Sequence, residues 1–135
     1  MLSYTVPSES MVPTLKVGEV VKVRPIGSKS HLGRGDIIVF TAPAGSDPGI
    51  DDLVKRVIGV PGEAISAHGG HVFINNKQLP EPYLPPGTFT SDFGRVKIPA
   101  NSYWVLGDNR GNSKDSRVYG PIGRADIKGL VALPD

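Results

Sequence analysis

Short apolar, β-branched runs separated by glycine and proline recur along the whole chain. Seven of these runs predict strands, at residues 19–24, 36–41, 53–60, 63–66, 71–75, 103–106 and 126–132. Only residues 10–17 and 112–118 suggest a helical turn. Several short strands at turn-bounded intervals are typical of an all-β or mainly β domain. We therefore expect a small, mainly β, antiparallel domain.

Length and composition narrow the class of protein. A chain of 135 residues makes one domain that buries about two-thirds of its unfolded surface. It contains no cysteine, which excludes a thiol protease and disulfide bonds. The net charge is +2 and the basic residues are spread along the chain, whereas a nucleic-acid reader shows a basic patch. We expect no nucleic-acid partner.

The run at residues 53–58 contains two adjacent cations in an otherwise apolar strand. Successive side chains of a strand point to opposite faces, so Lys55 shares a face with Leu53 and Val57 while Arg56 lies on the other face. A lysine among apolar neighbours is desolvated and its pKa falls, whereas an arginine stays charged and needs a carboxylate partner. Taken alone, the pair would also fit a solvated edge strand.

Two serines precede an apolar turn near the start of the chain, Ser8 and Ser10, within residues 7–15. Taken alone, they fit turn or helix-cap positions. A serine hydroxyl becomes an effective nucleophile when a neutral base takes its proton. Lys55 lies 45 residues after Ser10, and its burial would supply that base. The two residues together indicate a serine nucleophile with a lysine base.

Residues 107–117 form a third polar segment, directly after the predicted strand 103–106. Charged and amide side chains at this density predict an ordered loop that satisfies itself by hydrogen bonds and ion pairs. Asp108 and Asp115 each have an arginine nearby in sequence, and we expect Arg56 to pair with one of them. Because no His or Cys cluster accompanies these carboxylates, we expect no metal and no cofactor.

The three histidines do not suggest an alternative catalytic group. His31 lies in a Gly/Ser-rich segment, and His68 and His71 flank a Gly-Gly pair that predicts a tight hairpin. A Ser-His-Asp triad is recognised by geometry and so stays open at the level of sequence.

The three polar segments, with residues 35–40 between the first two, resemble the sequence boxes of the bacterial type I signal peptidases, the serine/lysine leader peptidases. The boxes occur in the family's order and span residues 7–117. The resemblance implies a small antiparallel β domain of coiled sheets. It also implies a single catalytic domain, residues 1–135, with a small extension at about 64–101.

The resemblance implies a role for each matching residue. Ser10 matches the nucleophile and Lys55 the general base, while Ser8 and the Ser10 N–H match the oxyanion hole. Ser113 matches the serine that orients the lysine, although it would also fit a residue that caps its own loop. The charged residues that match structural ion pairs are Arg56, Asp108, Arg110, Asp115 and Arg117.

The function that the resemblance implies is that of a serine endopeptidase. It would remove N-terminal signal peptides from exported preproteins, cleaving after small residues in an Ala-x-Ala pattern, at the extracytoplasmic face of the membrane. The partners would be preprotein signal peptides and the membrane surface. Of the apolar residues near the site, we expect Met11, Val12 and Trp104 to be exposed and to lie in the membrane interface.

The family carries one or two transmembrane helices before its first box, and six residues precede that box here. No run approaches the roughly 18 apolar residues of a membrane span. We expect this chain to be soluble as given, with the transmembrane anchor present in the full-length protein, or with attachment by another route.

Two alternatives remain open at this stage. A self-cleaving repressor-type serine/lysine protease shares several of these elements, but would place an Ala-Gly bond before the serine, whereas Ala44-Gly45 follows Ser10. The other alternative is a non-enzymatic, β-rich binding module in which the serine and lysine are accidental.

Overall fold

The computed structural model describes residues 1–133, and within that range eleven strands form two antiparallel sheets. The strands are β1 Leu2–Thr5, β2 Val20–Pro25, β3 Ile37–Thr41, β4 Asp52–Gly59, β5 Ala64–His68, β6 His71–Ile74, β7 Lys77–Gln78, β8 Phe93–Lys97, β9 Ser102–Leu106, β10 Ile122–Gly123 and β11 Ile127–Ala132. One short helix, α1, covers Ser116–Tyr119, and a 3-10 turn covers Arg124–Asp126. The mainly β prediction is confirmed.

The larger sheet has the order β1-β2-β11-β3-β4-β9-β10, and the smaller has the order β7-β6-β5-β8. The smaller sheet spans residues 64–97, inside the range that the sequence suggested as an extension. No helix among residues 1–133 has the length and apolar character that a membrane crossing requires.

The larger sheet curls so that its edge strand β1 approaches β4, the fifth strand in the sheet order. The Tyr4 hydroxyl of β1 donates a hydrogen bond of 2.8 Å to the Asp52 carbonyl oxygen at the start of β4. Between these strands lies an apolar cluster that includes Val6, Met11 and Leu15, each at most 1% exposed. The segment that contains Ser10 is therefore held by its apolar neighbours against the inside of the sheet.

A second apolar cluster joins the two sheets. Ile58 and Trp104 of the larger sheet pack with Ile65 of the smaller one. The sheets approach closely at Gly59, where an added Cβ would collide with the Ile98 side chain. This contact fixes the smaller sheet against the far end of β4.

The expectation that Met11 and Trp104 are exposed is wrong. Met11 is 0% and Trp104 4% exposed, because each fills one of these apolar clusters, and Val12 is only half-buried. Among residues 1–133, the large apolar side chains that are exposed are Met1, Leu2, Val17, Val20, Phe89, Val118 and Leu133.

The helical predictions hold only in part. Residues 10–17 form turns with a single helical-type bond, from the Leu15 N–H to the Met11 carbonyl oxygen, and the chain reverses at Gly18, whose φ is 83°. In the second segment the helix begins only at Ser116, after Asp115, whose carboxylate accepts from the Arg117 N–H and caps it.

Candidate active site

Strand β4 lies in the interior of the larger sheet, between β3 and β9. Lys55 is 2% and Arg56 6% exposed. An edge strand would leave such side chains in water, so the solvated-edge alternative is wrong for this strand. Alternation along β4 sends the two cations to opposite faces.

Backbone contacts fix Ser10 beside the loop of residues 107–117. The Asn109 N–H donates to the Ser10 carbonyl oxygen over 2.9 Å, and the Asp108 N–H points to the Met11 sulfur at 3.4 Å. A Cβ at Gly107 would collide with the Ser10 carbonyl oxygen and with Ser113. Glycine at this position thus allows the two segments to approach.

Ser10 and Lys55 line one pocket of about 240 Å³. The other lining residues are Ser8, Glu9, Ser46, Asp47, Ile50, Leu53, Gly111, Asn112, Ser113 and Lys114. The Ser8 hydroxyl donates to Ser10 Oγ over 3.2 Å, and the Ser10 N–H donates to Ser8 Oγ over 3.4 Å. The structure thus brings Ser8, Ser10, Lys55 and Ser113 to one place.

The Lys55 amine donates to Ser113 Oγ over 3.1 Å. Within the described part of the chain, the hydrogen-bond partners of the Ser10 hydroxyl and of the Lys55 amine are Ser8 and Ser113, and the two groups do not bond to each other. Catalytic hydrogen bonds are often loose without substrate and tighten in the complex. Because Ser10 Oγ accepts from Ser8, its own proton is free for transfer to Lys55 once the two groups come within hydrogen-bond distance.

Burial lowers the pKa of Lys55 to about 8. The Asp115 carboxylate raises the pKa of Lys55, the Arg117 guanidinium lowers it, and the Asp47 carboxylate raises it. Near pH 8 about half of such lysines are neutral, which is the form that can accept a proton. Lys55 is thus poised as a base in mildly alkaline solution.

Asp115 lies close enough to Lys55 to affect its pKa and is fully buried. Burial alone would raise the pKa of Asp115, but the Arg117 guanidinium, the Gly107 N–H and the Ser113 hydroxyl hold it below its usual value. Arg117 Nη2 lies 2.9 Å from Asp115 Oδ2. Asp115 is thus kept as a carboxylate by the groups around it.

On the opposite face of β4, Arg56 forms a two-point ion pair with Asp108. Its Nε and Nη2 donate to the two Asp108 oxygens over 2.9 and 2.8 Å, and its Nη1 donates to the Gly35 carbonyl oxygen. Thr14 also donates to Asp108, over 2.6 Å. The Tyr83 ring lies 4.0 Å from the Arg56 guanidinium carbon. This pair connects β4 to the polar loop.

Arg110 has a fully buried side chain whose acidic partner lies outside the polar loop. It pairs with Glu81, Nη2 to Oε2, over 2.6 Å, and donates to Thr90 and to the Gly107 carbonyl oxygen. The expectation that the loop satisfies itself holds for Asp115 and Arg117 but is wrong for Arg110, whose acidic partner comes from another segment, and the expected pairing of Arg56 with Asp108 or Asp115 is confirmed for Asp108. Glu81 lies in a proline-rich stretch where no sequence pattern marks it.

Sequence reasoning also missed the loop between β3 and β4. Ser46, Asp47 and Ile50 of this loop line the pocket that contains Ser10 and Lys55, and Asp47 forms an ion pair with Lys114 across its rim. The Ser46 hydroxyl oxygen is buried and has no hydrogen-bond partner among residues 1–133. The Gly/Pro-rich composition of residues 42–51 gives no sign of these contacts. Over the same range, no group of three or more His, Cys, Asp or Glu side chains could hold a metal ion.

Comparisons with known proteins agree on one family. The family model described as "Signal peptidase, peptidase S26" matches residues 1–134. Signal peptidase I of Leptolyngbya laminosa is 44% identical over 135 residues, which cover 95% of this chain and 65% of that protein. Signal peptidase IB of Staphylococcus aureus is 41% identical over 148 residues, which cover 96% of this chain and 75% of that protein.

A solved structure is similar as well. A signal peptidase I from Enterococcus faecalis V583 superposes with a TM-score of 0.63 at 30% identity, over 78% of this chain and 100% of that one. The Leptolyngbya laminosa relative is longer, and this chain spans just under two-thirds of its length. With a family match over nearly the full length and relatives above 40% identity, the chain belongs to the signal peptidases of peptidase family S26.

Proposed function

We propose that this chain is the catalytic part of a type I signal peptidase, a serine endopeptidase that removes N-terminal signal peptides from exported preproteins. The observation that carries the proposal is the buried Lys55, with its pKa lowered to about 8, in the same pocket as Ser10. A solvated lysine would be almost entirely protonated at neutral pH and could not accept the serine proton. Family membership favours this function over a binding module.

The proposed reaction is acyl transfer. Neutral Lys55 takes the Ser10 proton as the serine oxygen attacks the scissile carbonyl carbon, and the Ser10 N–H and the Ser8 hydroxyl stabilise the oxyanion. Lys55 then gives its proton to the leaving amine as the peptide bond breaks. In the second half, Lys55 takes a proton from water as the water oxygen attacks the acyl ester, and it returns that proton to the Ser10 oxygen as the ester bond breaks.

We further propose that the substrate lies along β1, whose described partner is β2 alone. An extended peptide can add to a free strand edge through main-chain hydrogen bonds. β1 leads through Val6 directly to Ser8 and Ser10, so a peptide on this edge would reach the nucleophile. The apolar walls provided by Ile50 and Leu53 around a small pocket support a preference for small side chains, as in an Ala-x-Ala pattern.

The family is membrane-associated, and we propose that the full-length protein is anchored with this domain at the extracytoplasmic face. Leu2 on β1 and Val20 on β2 are 59% and 63% exposed, and Met1 and Val17 lie near them in sequence and are exposed as well. Exposed apolar side chains on and near the edge strands β1 and β2 support contact with a membrane interface.

Digestion of a preprotein with the purified chain tests this function. We expect a single cleavage at the end of the signal peptide, after a small residue that has another small residue two positions before it. Mass spectrometry of both fragments gives the position of the cut. The Ser10→Ala variant, prepared in parallel, should leave the preprotein intact. Cleavage at unrelated sites, or the same cleavage with the variant, contradicts the proposal.

The rate should rise with pH as Lys55 loses its proton. With a pKa near 8, the neutral fraction increases about fiftyfold between pH 6 and pH 8, and kcat/KM should follow it. Steady-state cleavage of a peptide over this range measures the effect, and EDTA should leave the rate unchanged. A rate that falls between pH 6 and pH 8 would show that Lys55 does not act as the base.

A further inference from the structure

Two loops meet at the rim of the catalytic pocket. The first connects β3 to β4 and is closed at its base by a bond of 2.8 Å from the Ala42 N–H to the Asp51 carbonyl oxygen. Its Asp47 carboxylate pairs with the Lys114 amine of the 107–117 loop. Asp47 and Lys114 both line the pocket that contains Ser10 and Lys55.

This ion pair contributes little to stability. The Lys114 and Asp47 side chains are 56% and 55% exposed, and the entropy lost in holding two exposed side chains in one geometry offsets most of their attraction. The loop also has other contacts, since a Cβ at Gly45 would touch Val118 and Tyr119, and Ile50 packs on an apolar cluster. The loop thus keeps its place without the pair, and the effect of the pair on the pocket is chiefly electrostatic.

Four charged groups around Lys55 form two ion pairs, so that each carboxylate has a cation beside it. Asp115 pairs with Arg117 behind Ser113, and Asp47 pairs with Lys114 at the rim. Glu9 also lines the pocket, with an exposed side chain. If Lys114 lost its charge, the Asp47 carboxylate would be uncompensated on the side of the pocket that Lys55 faces. An uncompensated carboxylate favours the ammonium form of a nearby lysine.

We propose that Lys114 is a positioning residue of this site: by pairing with Asp47 it balances the carboxylate charge at the pocket rim and keeps the Lys55 amine available as the base for Ser10. The inference rests on the proposed function, because that function assigns the base role to Lys55. The direction in which Asp47 acts supports it, since Asp47 raises the pKa of Lys55 against the larger effect of burial.

Single and double variants separate this role from simple tethering of the loop. Lys114→Met should move the midpoint of the rise of kcat/KM with pH upward, and Asp47→Asn should move it downward, each by about 0.5–1 pH unit. The double variant should return close to the wild-type midpoint, and Lys114→Arg should keep it. If the pair only tethers the loop, both single variants lose activity alike without a shift of the midpoint, which would overturn the proposal.

Lys128→Met is the matched control. Lys128 is 53% exposed and pairs with Asp52, which alternation places on the face of β4 opposite Lys55. In Lys128→Met the midpoint of the rise of kcat/KM with pH should equal that of the wild type. A shift as large as that of Lys114→Met would show a general effect of surface charge and overturn the proposal.

A second measurement does not depend on cleavage. Carbon-13 NMR of protein labelled at lysine follows the titration of Lys55, whose signal is assigned by its absence from Lys55→Met. The Lys55 midpoint should move upward in Lys114→Met and downward in Asp47→Asn, and an unchanged midpoint in both variants would overturn the proposal. If the wild type cleaves no peptide at any pH, the proposed function fails, while this titration still decides the role of Lys114.

Discussion

Ser10→Ala and Lys55→Ala are each expected to abolish peptide cleavage, by about four orders of magnitude or more in kcat. In the proposed mechanism Ser10 supplies the attacking oxygen, and Lys55, buried in the same pocket with its pKa lowered to about 8, takes the serine proton. A nucleophile and its base act as one unit, so losing either should cost about as much as losing both. Steady-state kinetics on a signal-peptide substrate measure each loss.

The double variant and two surface variants complete this experiment. Ser10→Ala with Lys55→Ala should be no less active than either single variant. Ser28→Ala and Lys22→Ala, at exposed positions away from the pocket, should retain wild-type rates. Circular dichroism checks that each variant is folded. Near-normal turnover in a folded Ser10→Ala or Lys55→Ala protein would mean that another group carries the chemistry.

The strands that sequence predicted are mostly those with buried β-branched side chains. In β3 and β4 almost every residue is buried, so the apolar run itself marks the strand. The missed strands β1, β7, β8 and β10 are short or mostly exposed, and two of them have only two residues. Their pairing depends on neighbours that the local sequence does not reveal. Of these strands, β1 matters most for the site, because it leads into the segment that contains Ser10.

The site was predictable to the extent that local pattern and motif order determine it. Alternation along β4 predicted separate environments for Lys55 and Arg56, and the structure places them on opposite faces with Ser113 and Asp108 as partners. The catalytic roles of these residues stay predictions. The Glu81–Arg110 pair joins residues 29 positions apart, and no periodicity connects a proline-rich loop to a buried arginine.

The error over Met11 and Trp104 has a related cause. Both are apolar residues close in sequence to polar, functional segments, and that position suggested exposure. A large apolar side chain next to a site more often anchors it, because a rigid site needs packing beneath it. Met11 does so directly, since its sulfur contacts the Asp108 N–H while its side chain fills the cluster under Ser10.

Arg56→Met is expected to destabilise the fold by about 3–5 kcal/mol, because it leaves the Asp108 carboxylate buried without its cation. The Arg56 side chain is 7% and that of Asp108 0% exposed, so water cannot replace the lost partner. Urea unfolding followed by tryptophan fluorescence measures the change, with Trp104 as the probe. An unchanged unfolding midpoint would mean that the pair contributes nothing to the fold.

Arg34→Met provides the matched control for this measurement. Arg34 also forms a two-point pair, with Glu63, but its side chain is 35% exposed. Solvent screening should limit its cost to about 1 kcal/mol. The double variant Arg56→Met, Asp108→Leu should recover much of the loss, because an apolar pair of similar volume leaves no unpaired charge. If the double variant is less stable than Arg56→Met alone, lost packing rather than the buried carboxylate accounts for the destabilisation.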